Sequence, residues 1–145
     1  MATSTAPRPF AGRELLFLRC FFLIAALWNL TGSLPCLFDS AGMFAREFGR
    51  DMTDPVMTAV CRGAWATSFL CGCGFLMVAW NPDQHTGVVV MGGIGKALFA
   101  INLAHMYQNG WTSGFALVVV GGDFIFVALF LVWFARLRQP GHSLV

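Results

Sequence analysis

Charge is what this sequence has least of. Charged side chains make up 11% of its 145 residues, nine of them basic and seven acidic, against about a quarter in a soluble domain. So few charges cannot cover a surface that faces water, so the chain needs another solvent, and lipid is that solvent. Clustered Lys and Arg are also missing. The formal net charge is only +2, and no exposed basic face is available for phosphates, which excludes nucleic acid as a partner. Five cysteines are an odd number and do not make a disulfide framework. Three histidines are too few inside apolar sequence for a bis-His haem, since His85 and His142 fall outside the apolar runs. No nucleophile–base pair and no metal cluster emerges, so a membrane enzyme has little support. Cys20, Cys71 and Cys73 share a similar depth but read as packing cysteines.

What is abundant is hydrocarbon, at 57% hydrophobic residues with 15 Phe. A bilayer core of about 30 Å takes about 20 apolar residues in helical form. Four runs satisfy this, at residues 14–34, 57–80, 86–107 and 114–134. Backbone polar groups cannot stay unpaired in hydrocarbon, so each run must be a helix. Barrel strands would instead alternate over about ten residues. The expected fold is an all-α, antiparallel four-helix transmembrane bundle spanning residues 14–136, with flanks 1–13 and 137–145. The first run lacks a cleavage site followed by a polar mature region and is expected to be a retained helix.

Turn chemistry orders the helices. Asn81-Pro82-Asp83 and Asn109-Gly110 are short turn signals, which make the helices on either side antiparallel neighbours. The longer connection from Pro35 to Pro55 holds most of the acidic residues. Phe44 and Phe48 lie one turn apart in it and predict a short amphipathic helix on the membrane surface, with a disordered loop as the alternative. Basic residues gather at the termini (Arg8, Arg13, Arg19, Arg136, Arg138), so both ends are expected in the cytoplasm. Trp28, Trp80, Trp111 and Trp133 sit near helix ends, where interfacial anchors belong. The recurring glycines at 72, 74, 92, 93, 95, 121 and 122 suit close helix packing.

Ionisable groups at membrane depth cost about 2.5–3.5 kcal/mol each and normally pair inside the bundle. Arg62, Lys96 and Asp123 are such groups. At 1.5 Å per residue, Lys96 and Asp123 differ in depth by roughly 5 Å, within reach of a lysine side chain. A buried ion pair between the third and fourth spans is expected. Asn29, Arg62, Lys96, Asn102 and Asp123 all fall in the outer half of the bundle. They are read either as a polar pocket open to the outside or as groups that pair helices. Asn102 lies about 120° around its helix from Lys96, which counts against the pocket. His105 is assigned to the interface. Cys36 and Cys61 both lie near the outer face and are candidates for a disulfide in an oxidising compartment. Gly92 to Lys96 has a superficial likeness to a phosphate loop, but Ala97 stands where Ser or Thr is needed. Cys71-Gly72-Cys73 lacks the two-residue spacing of redox pairs.

The run Trp28-Asn29-Leu30-Thr31-Gly32-Ser33-Leu34-Pro35, with Arg62-Gly63, Gly95-Lys96 and Gly122-Asp123, resembles small four-helix bacterial inner-membrane proteins, loosely DoxX-like. The resemblance implies a four-helix bundle in a bacterial inner membrane and no catalytic residue. It associates the chain with quinone-linked complexes, and a quinone is the one cofactor it admits; the residues themselves predict none. Two functions stand as expectations. One is an accessory subunit or binder of a polar ligand, lipid or quinone, partnered by the bilayer, other membrane subunits or itself. The other is a small proton- or ion-coupled transporter using Asp123 and Lys96.

Overall fold

The computed structural model describes residues 12–137. The outermost flanks, with Arg8, Arg138 and His142, lie outside the described residues. Within them the chain forms five helices: α1 (Gly12–Phe38), α2 (Ser40–Phe48), α3 (Pro55–Trp80), α4 (Thr86–Gln108) and α5 (Phe115–Leu137). Four of these are long and apolar enough to cross a membrane, and no strand occurs among the described residues. Each spanning helix is apolar nearly all round, the mark of a helix without a water face. Large apolar side chains such as Phe17, Leu70, Met91 and Leu131 stand well over half exposed on the outside. A monomer in water does not present such a surface, so the molecule is a multi-pass membrane protein with a four-helix bundle.

α1 runs antiparallel to α3, and α4 antiparallel to α5, along most of their lengths. Asn29 on α1 meets Ser68 on α3, Gly32 meets Trp65, and Arg19 donates to the carbonyl of Trp80 at 3.2 Å. The last of these places a cation on the C-terminal end of α3, where the helix dipole favours it. α1 continues past Leu34, the expected end, and includes Pro35. Membrane helices tolerate proline because neighbouring groups re-satisfy the backbone, and the Asp39 N–H closes the last turn on Pro35 O at 2.7 Å.

The half of the bundle nearest the two termini is packed with aromatic rings. Phe22, Phe75, Phe130 and Trp133 are buried, with Phe22 stacked on Phe130 at 5.9 Å and Phe75 tilted against Phe130 at 5.3 Å between ring centres. Trp133 therefore sits in the core rather than at the interface, whereas Trp80 and Trp111 are exposed at helix ends. The opposite half, toward α2, buries polar residues: Asn29, Ser33, Ser40, Glu47, Lys96 and Asp123.

α2 caps that polar end. Asp39 starts it, accepting from the Gly42 N–H at 2.9 Å, and Gly49 ends it with a positive φ of 65°, a geometry that favours glycine. Ser40, Met43 and Glu47 share its buried face, and Phe44 and Phe48 touch at 4.5 Å between ring centres. The expected amphipathic helix is thus present, and it packs against α1, α3 and α5. Asp54 accepts from the Val56 N–H at 2.8 Å and opens α3, with Pro55 as its first residue, as proline prefers.

Candidate functional site

Lys96 and Asp123 form the ion pair their depths predict. Lys96 Nζ lies 2.6 Å from Asp123 Oδ1, and both side chains are about 6% exposed. A third residue completes the group: Trp28 on α1 donates its indole N–H to the same oxygen at 3.0 Å. The Lys96 ammonium also lies 5.1 Å from the Phe126 ring centre, a cation–π distance. A carboxylate in the bilayer interior is thereby joined to two donors from two other helices, so α1, α4 and α5 meet at one oxygen.

Glycine makes the arrangement sterically possible. A Cβ at Gly122, next to Asp123, would run into the Trp28 indole. A Cβ at Gly92 would come 2.5 Å from Phe75, and one at Gly72 would come 2.9 Å from Leu30. These positions are close approaches of helices, the role expected of small residues in membranes. Gly95 and Gly121 meet nothing within 4 Å and belong to the outer surface.

The remaining expected site residues do not join this centre. Asn29 is buried, and its amide donates to Ser68 O at 3.3 Å, closing the α1–α3 seam. Arg62 is exposed, and its Nε donates to Ser40 Oγ at 3.3 Å, linking α3 to α2. Asn102 is exposed on the outside of α4, and its amide reaches only Met106 Sδ at 3.8 Å. The single outward pocket is therefore not assembled. Its residues lie in the same half of the bundle but point to three seams and to the exterior, because helical rotation separates side chains that depth alone would group. Cys36 and Cys61 are free thiols, the first buried and the second half-buried. They lie within electrostatic reach of each other.

Two residues have roles in the fold that their sequence positions do not show. Trp28 had the position of an interfacial anchor, yet its N–H serves a buried carboxylate. Glu47 was one of several charges in the first connection, yet it is 2% exposed. Its carbonyl accepts from Thr112 Oγ1 and from the Ser113 N–H at 2.8 Å. The Ser40, Met43, Glu47 stripe on α2 is the pattern that marks it. Among the described residues, no group of three or more His, Cys, Asp or Glu is placed to hold a metal ion.

Family models, curated proteins and solved structures were all compared with the chain, and none matches it.

Proposed function

We propose that this membrane protein is a non-enzymatic accessory subunit of a bacterial inner-membrane assembly, held in shape by the Lys96–Asp123–Trp28 centre and partnered through α4. The observation that carries the reading is Asn102. Its amide stands on the outside of a spanning helix with only a thioether near it, about 9 Å from the end of α4 at 1.5 Å per residue. An amide facing acyl chains forgoes its hydrogen bonds, and polar side chains of this kind hold transmembrane helices together. Gly95 lies two turns along on the same stripe with open space around it, so a neighbouring backbone can approach there. The Lys96–Asp123 pair is engaged by its own neighbours, which supports a structural role over an open ligand site. The positive residues at both ends support cytoplasmic termini.

The test is purification of the full chain in mild detergent, with cross-linking from position 102 and mass spectrometry of what is captured. A stoichiometric companion, lost in Asn102→Leu, is the expected result. A monomer indifferent to that substitution overturns the reading. Proton-dependent uptake by vesicles, abolished in Asp123→Asn with the fold retained, would select the transporter instead.

A further inference from the structure

Of the acidic residues between α1 and α3, Glu47 alone is buried. Its Oε1 has no hydrogen-bond partner, and no ion pair reaches it among the described residues. The backbone nevertheless pins it in place. The carbonyls of Arg46 and Glu47 accept from Ser113 Oγ at 2.7 Å, from the Ser113 N–H and from Thr112 Oγ1, so α2 is strapped to the link between α4 and α5.

The titratable and charged groups around it offer no compensation. From α1 comes Cys36, fully buried, and from the cap of α2 comes Asp39, whose carboxylate is occupied by the Gly42 N–H. From α3 come Cys61 and Arg62, the latter exposed and bound to Ser40. The α4–α5 link contributes Thr112 and Ser113, neither titratable. On α2 itself Arg46 is exposed. A carboxylate here is an uncompensated buried charge, which is unfavourable; a neutral carboxyl is tolerable.

We propose that α2 is a proton-gated strap: protonated Glu47 lets it seat over the seam of α1 and α3, and loss of that proton releases it and uncovers Cys36. The group is outside the spanning helices, where aqueous protons reach it once the strap lifts. Burial pushes its carboxyl up to about 7 from an ordinary 4.5. Because the seated value is the higher one, the strap's stability is fully present below about pH 4.5 and is lost as pH rises through about 7. The two values set a limiting change of roughly 300-fold in the seating equilibrium, about 80-fold of it inside that window.

The measurement is hydrogen exchange of the residue 40–48 amides in the full chain, in lipid nanodiscs from pH 5 to 8 and corrected for intrinsic exchange. Peptide-resolved labelling of Cys36 by a water-soluble maleimide runs beside it. The wild type is expected to lose protection at 40–48, by up to about 70-fold over this range, and to gain labelling at Cys36 as pH rises. Glu47→Gln, neutral throughout, is expected to hold the strap closed across the range. Glu47→Leu tests the same point without a polar head and is expected to be equally flat. A wild-type profile that does not move with pH overturns the proposal, and so does either variant retaining the wild-type profile.

Discussion

Asp123 shows how much depends on one oxygen atom. Its Oδ1 receives both Lys96 Nζ and the Trp28 indole, so removing the carboxylate leaves a lysine in hydrocarbon without a partner. Asp123→Leu alone is expected to cost about 3–5 kcal/mol, read by denaturant titration in detergent. Lys96→Met together with Asp123→Leu removes both charges and is expected to recover most of that loss, because replacing a whole buried pair is often neutral or stabilising. Gly122→Ala drives a methyl into Trp28 and is expected to cost about 1–3 kcal/mol. Gly121→Ala, beside it but in open space, should stay within about 0.5 kcal/mol. The pairing of Lys96 with Asp123 was legible from depth alone. Trp28 was not, since its place near a helix end fits an anchor equally well, and which way an indole turns is decided by the helix packed opposite.

At the level of elements, α2 is the one helix whose sequence pattern announced two faces. Phe44 and Phe48 placed it correctly between Pro35 and Pro55, but its buried face includes a glutamate. An acidic residue in a charged connection reads as solvated, and only the packing of α2 onto α1, α3 and α5 takes Glu47 out of water. The N-cap gives a separate handle on this helix. Asp39→Ala removes the acceptor for the Gly42 N–H and is expected to destabilise α2 by about 1 kcal/mol. Faster exchange confined to residues 40–48, with the spanning helices unchanged, is the expected signature. The spanning helices were legible to within a few residues, because continuous hydrocarbon leaves a backbone no other option. The exception at α1, which runs on to Phe38 through Pro35, arises because a proline late in a helix removes only one donor and neighbours supply the rest.

The whole molecule divides along its length into an aromatic half and a polar half. Rings of Phe22, Phe75, Phe130 and Trp133 lock the end nearest the termini, and hydrogen-bonded seams join the helices toward α2. Four spans place the first and last helix ends at the same face of the bundle. Labelling of single cysteines introduced at residues 12 and 137 is therefore expected to give equal accessibility from one side, and the basic termini predict that side to be the cytoplasm. Opposite accessibility of the two positions would break the four-span architecture.

The sequence alone determined the solvent, the number of spans and the depth of every polar residue, because those follow from composition and from the length of hydrocarbon a helix must cross. Rotation was left to the packing: that α1 lies along α3, that Asn29 faces Ser68 while Asn102 faces outward, and that Trp28 and Glu47 turn inward. The reason is physical. Depth grows by a fixed rise per residue and can be counted along one chain, whereas the azimuth of a helix that is apolar all round is set by the shapes of its neighbours.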